Sequence, residues 1–185
     1  MSVNSFSPAV CPPLAYFSAV REQQVWRYHP QAPFIRQTWR NRYLVPMLEK
    51  DVLLTVPVIK CAEGTPFHEV KISYAEDWVR VHLGTLRTAY GKAPFFIHYY
   101  EVFAAELQKK HGYLLDLCLP LMEWYASQLG LHIECSDAPT VDEKNYERLS
   151  SQGFTYTQVF EPLRGHCQNP CILDLLMNCG KYGLI

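Results

Sequence analysis

Leu53-Leu54-Thr55-Val56-Pro57-Val58-Ile59 is the most apolar run in the chain, and its reading decides the fold. A short aliphatic run of this kind, entered from a turn at Asp51, predicts a strand. An unbroken apolar strand is expected to be covered on both faces. Pro57 carries no N–H, so the strand should lie at an edge or pair one-sidedly there. Upstream, Gln37–Pro46 reads as a second strand and Val25–His29 as a third, closed by Pro30 and Pro33. Pro12 and Pro13 suit the first turn of a helix from Leu14 to about Gln23. Downstream, Glu69–Ser73 alternates as a fourth strand, and from there the period changes.

Ser73-Tyr74-Ala75-Glu76 has capping-box spacing and predicts a helix to about Thr88, with Trp78, Val81, Leu86 and Ala89 as its apolar stripe. Pro94 suits the first turn of a next helix over Phe95–Lys110, and Gly112 punctuates it. Leu114–Leu129 predicts a third helix, kinked or restarted at Pro120 and ended by Gly130. Leu131–Cys135 alternates as another strand. The polar stretch 136–153 predicts a loop with a short helix, and 154–160 a strand or loop. Asn169 followed by Pro170 predicts the cap and first position of a last helix to Asn178, ended by Gly180. Strands, consecutive helices, another strand and a terminal helix give an α/β class: one domain over 1–185, a mixed β-sheet with several packed helices. An α+β arrangement is the nearest alternative.

Length and composition bound the rest. With 185 residues, 49% apolar and 19% charged, the chain can bury a sizeable core and is not disordered. A formal charge of -1 offers no global basic field, so nucleic acid is not an expected partner. No apolar run approaches a membrane span of about 20 residues. Met1–Pro8 lacks a basic n-region and a long apolar segment, so no signal peptide is expected. Seven cysteines, an odd number without a CxxC pair, read as reduced thiols in a cytoplasmic protein. His166, Cys167, Cys171 and Cys179 have the wrong spacing for a zinc knuckle, and no metal site is expected from them. The sequence assigns no cofactor and no oligomeric state. Dinucleotide, P-loop, nucleophile-elbow and zincin motifs are all missing from the sequence.

Several residues remain as candidates. Five arginines and one glutamate fall between Arg21 and Arg42. On one pleated strand Arg40 and Arg42 share a face and can clamp a phosphate or carboxylate, with Trp39, Asn41 and Tyr43 on the other. The bland reading of these charges is a solvated face. His82, on an apolar helix face beside Trp78, is either a packed core histidine or a general base kept neutral by burial. Asp174 and Asn178 share one face of the last helix, where either the pair ties the C-terminal segment down or Asp174 anchors an Arg or a catalytic group. Phe95, Phe96, Tyr99 and Tyr100 read as core rather than as a stacking platform.

Five segments taken in order resemble the WbqC-like family: Pro12-Pro13-Leu14-Ala15-Tyr16-Phe17, Trp39-Arg40-Asn41-Arg42, Leu54-Thr55-Val56-Pro57-Val58, the set Trp78, His82, Tyr90 and Pro94-Phe95-Phe96, and the tail Ile172–Gly180. Two places depart from the family pattern. Ala9-Val10-Cys11-Pro12 stands where many members carry His-Gln-Pro, and Asn169-Pro170-Cys171 replaces an Asn-x-Ser form. The resemblance implies a place in bacterial surface-polysaccharide (O-antigen) biosynthesis and transfer of an acyl or aminoacyl group to a sugar or nucleotide sugar. It carries over no catalytic residues. On that expectation His82 and Asp174 are the candidate catalytic groups, and Arg40, Asn41, Arg42, Tyr90 and Asn178 the candidate substrate-binding ones. Cys11, beside the proline pair, is the first thiol to test. The partner would be a small sugar or an acyl donor. The competing expectation is a non-catalytic binding or assembly protein. Convergence of Arg40, His82 and Asp174 in one concave pocket favours the enzyme, and dispersion into separate networks favours the binding protein.

Overall fold

A computed structural model describes residues 5–21, 24–138 and 156–181. Six α-helices and four short strands are present among these residues. In chain order they are α1 (Leu14–Arg21), β1 (Val25–Tyr28), β2 (Arg42–Val45), β3 (Val52–Thr55), α2 (Trp78–Tyr90), α3 (Phe96–Gln108), α4 (Leu114–Leu129), β4 (His132–Cys135), α5 (Glu161–Arg164) and α6 (Ile172–Cys179). The class is α/β with both strand senses, as the element order predicts. β1 pairs parallel with β4, Val25 opposite His132, and β2 pairs antiparallel with β3, Arg42 opposite Thr55. A parallel pair needs a long crossover, and the helices α2 to α4 lie within it. The two pairs form separate two-stranded sheets.

Alternation explains which faces are covered. Trp26 is buried on β1, Tyr43 and Val45 on β2, and Leu54 on β3. Leu53 and Ile59 are exposed, so the apolar run is covered on one face only. The reason is its pairing: among the described residues β3 pairs with β2 alone, and beyond Thr55 the chain leaves the sheet. Val56 N–H still donates to Asn41, and Val58 bridges Ile72. Pro57 accepts from Ser73 N–H and is asked for no donor, as its missing N–H requires.

Helix starts show where local signals were outcompeted. The Ser73 N–H bond to Pro57 holds that residue in extended pairing, and Ile72 is bonded to Gly112. The expected strand Glu69–Ser73 is reduced to isolated bridges after a 3-10 turn at Phe67–Glu69. The capping box at Ser73 is therefore unused, and α2 starts behind Asp77, whose carboxylate accepts from Arg80 N. Val81, expected inside, is exposed, while Tyr90 is buried. Pro94 precedes α3 by two residues, with Phe95 as its N-cap. α4 runs through Pro120 as one helix and ends at Gly130, whose φ of 66° is the left-handed C-terminal geometry. The polar stretch beyond Ala138 and the residues before Tyr156 lie outside the described residues, as does the expected end of α1 at Gln23. Residues 156–160 form a loop and turn leading into α5.

The proline opening is stitched to the C-terminal helix. Leu14 N–H donates to Pro170 and Ile172 N–H to Pro12, and Cys171 N–H reaches Leu44 on β2. Asn169 is not the cap of α6, which begins at Ile172 behind Cys171. It caps α1 instead, accepting from Ala15 N–H at 2.8 Å with its own φ at 53°. Asn tolerates that left-handed region better than most residues. Asn169→Ala should cost about 2 kcal/mol, one part cap and one part backbone, and Asn169→Gly about half as much. Denaturant midpoints of the two variants check this; equal losses would mean that the backbone conformation contributes nothing.

Candidate functional site

Four of the residues singled out by sequence fall into two buried polar networks, His82 in one and Tyr90, Asp174 and Asn178 in the other. The first joins α2 to the β2–β3 hairpin. His82 is 2% exposed, its ring edge-on to Trp78 at 5.0 Å. His82 Nε2 lies 3.2 Å from the Thr55 carbonyl oxygen and Nδ1 2.8 Å from the Tyr43 hydroxyl. A carbonyl only accepts, so Nε2 bears the proton and Nδ1 accepts from Tyr43. Burial lowers the His82 pKa to about 4, and the ring is neutral at neutral pH. Both nitrogens are then spent inside the protein.

The basic candidates do not assemble as a strand clamp. β2 starts only at Arg42, and Arg40 lies in the turn before it. Arg40 is buried, with Nη1 donating to Thr38 Oγ1 at 3.1 Å and its carbonyl accepting from Val10 N–H. Asn41 is buried too. Its Nδ2 donates to the Val56 carbonyl at 2.8 Å while its own carbonyl accepts from Val56 N–H, so it ties the hairpin strands beyond their regular pairing. Arg42 is half-buried and its Nε has no hydrogen-bond partner. The expected pair of guanidiniums on one pleated face is absent because the pleat begins one residue after Asn41.

The second network surrounds Asp174 in the first turn of α6. Asp174 is 1% exposed. Its Oδ2 accepts from the Tyr156 hydroxyl at 2.5 Å and from Gln158 Nε2 at 2.9 Å. Gln158 is held in turn by Cys167, whose N–H donates to Oε1 at 2.7 Å and whose carbonyl lies 3.3 Å from Nε2. The buried Tyr90 hydroxyl interacts with the same carboxyl electrostatically but lies outside ordinary hydrogen-bond geometry. Asn178 does not reach the carboxyl; its Nδ2 donates to the Asp174 carbonyl one turn back at 2.7 Å. Burial pushes the Asp174 carboxyl up to about 6, and the donors from Tyr156 and Gln158 oppose a larger rise.

The nearby thiols are poor nucleophiles in this setting. Burial and the neighbouring Asp51 carboxylate push Cys167 up to about 12, so it stays protonated. Cys171 is raised by burial with the Cys11 thiol beside it, and both are fully enclosed. Cys171 bears electrostatically on Tyr43 of the first network and on Tyr90 and Tyr156 of the second. The thiol pair thus neighbours both networks. Among the described residues no three His, Cys, Asp or Glu side chains are grouped as metal ligands. His166 packs edge-on against the Tyr156 ring.

A model of the WbqC-like protein family matches residues 7–152. The chain belongs to the WbqC-like family. The match takes in the proline opening, the Trp39–Arg42 segment, the apolar strand and the α2–α3 motif, whereas the Ile172–Gly180 tail lies beyond it. Neither the curated proteins nor the solved structures compared with the chain include a match.

The structure therefore brings Asp174 and Tyr90 together, places His82 in the other network, and leaves Arg40, Asn41 and Arg42 apart at the hairpin. Tyr43, Tyr156, Gln158 and Cys167 complete the networks. Tyr43 read as a strand residue, Tyr156 and Gln158 fell in a stretch without period, and Cys167 was weighed only as a metal ligand, so no sequence signal marked their place in these networks.

Proposed function

We propose that the protein transfers an acyl or aminoacyl group to a sugar or nucleotide sugar in bacterial surface-polysaccharide biosynthesis, with Asp174 handling the proton. The observation that carries this reading is a buried carboxyl, pushed up to about 6 by that burial, among neutral hydroxyl and amide donors. Such a group changes protonation close to neutral pH, as a general base must. The sugar amine or hydroxyl would attack the acyl carbonyl and form the new bond. The bond from that carbon to the donor's leaving group would break. The proton would pass from the nucleophile to the Asp174 carboxylate and on to the leaving group. Tyr90 and Tyr156 would present hydroxyls to the reacting atoms, and Arg42, whose Nε has no partner among the described residues, would hold an anionic group of the substrate at the hairpin, apart from the reacting atoms. His82 has no free nitrogen for this chemistry, and we assign it to positioning the hairpin against α2. The segment Tyr156–Cys167 walls off Asp174, so the reading requires that wall to open to substrate.

A second reading has its own support. Arg40 donates to Thr38, His82 is held by Tyr43 and Thr55, and Asp174 by Tyr156 and Gln158, the dispersion expected of a non-catalytic binding or assembly protein. Incubation with nucleotide amino sugars and acyl or aminoacyl donors, read by mass spectrometry, separates the two. The transferase reading expects an acylated sugar that Asp174→Asn loses by about a hundredfold or more while remaining folded. Binding of the sugar without product in any donor combination would favour the assembly reading.

A further inference from the structure

Two residues on the far side of α2 break local rules in opposite directions, and both line the same groove. Gly84 sits in the middle of α2, where glycine is the worst ordinary choice. Nothing in the protein demands it, because an added Cβ would meet no atom within 4 Å. Lys110, just past the end of α3, has a φ of 54°, a conformation in which glycine or asparagine is favoured. The helix has a glycine where a side chain would help, and the turn has a side chain where a glycine would help. Local violations of this kind concentrate where function asks for them.

The groove has a volume of about 430 Å³ and also takes in Arg80, Arg87 and Tyr100. Tyr100 positions Arg87: the guanidinium lies 5.5 Å from the ring centroid, and Nη2 donates to the hydroxyl at 3.3 Å. Among the described residues Asp77 is the one carboxylate on the wall, and it is occupied by the Arg80 backbone N–H and Nε. Among the described residues Lys110 is paired with no carboxylate. Three cations against one carboxylate leave a surplus of two positive charges in a groove of small-ligand size. A guanidinium presents parallel N–H donors to phosphoryl oxygens, and a missing Cβ lets such a group approach the helix backbone.

We propose that the groove between α2 and α3, walled by Arg80, Arg87, Lys110 and Tyr100 over Gly84, binds the diphosphate group of a small molecule. The charge surplus matches a diphosphate better than a monocarboxylate, and the limited size of the groove separates it from the extended basic stripe that a nucleic acid needs. The proposal shares no residue with the Asp174 network, so either can fail alone.

Calorimetric titration of the full chain with inorganic pyrophosphate tests it, beside uridine diphosphate as a second probe. Gly84→Ala should raise the ligand-free Tm by about 2–4 °C through helix propensity, yet weaken pyrophosphate binding about tenfold. Lys110→Gly should likewise relax the backbone and weaken binding about tenfold through the lost cation. Both variants are expected to stay folded, so lost binding cannot be put down to unfolding. Tighter binding of the nucleotide would assign the rest of the ligand to a nucleoside; equal affinities would assign the groove to the diphosphate alone. Wild-type protein that shows no saturable binding at millimolar pyrophosphate, or variants that bind it as wild type does, would overturn the proposal.

Discussion

Asp174→Asn is expected to unmask a steep acid destabilisation that the native protein hides. Two buried groups pull in opposite directions between pH 4 and pH 6.5. Asp174 has its folded pKa raised from 3.8 to about 6, so its contribution to stability is full below the unfolded value and is lost as pH rises toward 6. His82 has its folded pKa lowered from 6.5 to about 4, so its contribution is full above 6.5 and is lost as pH falls toward 4. At about 1.4 kcal/mol per pK unit each effect is about 3 kcal/mol, and in this window they largely cancel. Asparagine keeps an acceptor for Tyr156 and Gln158 while removing the charge. Asp174→Asn should therefore lose about 3 kcal/mol between pH 6.5 and 4, and gain stability relative to wild type above pH 6. His82→Gln, which keeps a donor for Thr55, should show the reverse slope, losing about 3 kcal/mol from pH 4 to pH 6. Urea midpoints across the window read both. Parallel profiles for wild type and Asp174→Asn would mean that the carboxyl is not buried as described.

Trp26→Ala should be among the most damaging single changes, at about 3–5 kcal/mol. Trp26 is fully buried on β1 and packs edge-on against Tyr16 at 5.6 Å and Phe17 at 5.1 Å of α1. Its indole N–H donates to the Tyr16 hydroxyl, which donates to the Ser7 carbonyl. The truncation leaves a cavity and also strands the Tyr16 oxygen with one partner fewer. Guanidinium unfolding should show a lower midpoint with an unchanged slope. Trp26→Phe should recover most of the loss, since it restores the ring and forfeits only the hydrogen bond.

The helices were legible because their signals are local. Leu114–Leu129 has an apolar period and a terminal glycine, and α4 has those bounds. Helix starts were less legible: Ser73 has a cap's chemistry, but its N–H is committed to Pro57, so Asp77 caps instead. Asn169 likewise has a cap's chemistry and applies it to a helix 154 residues away in sequence. Strand partners could not be read, since a parallel pair of β1 with β4 is decided by packing across three helices. The site follows the same division. Asp174 and His82 were marked by polar atoms on apolar faces, which demand partners when buried. The partners themselves, Tyr43, Tyr156 and Gln158, meet them only through the tertiary fold and carry no periodic signature. Arg40 and Arg42 were paired on the assumption of a strand over Gln37–Pro46, whereas the strand begins only at Arg42 and the turn before it leaves Arg40 buried.

The protonation of Asp174 is the point on which the site stands. Carboxyl titration by carbon-13 NMR of aspartate-labelled protein, with Asp174→Asn to identify the resonance, measures it directly. The account predicts a midpoint near 6. A midpoint at or below the ordinary aspartate value of about 4 would contradict it, since an ionised Asp174 held like a surface carboxylate could neither oppose His82 nor take a proton at neutral pH.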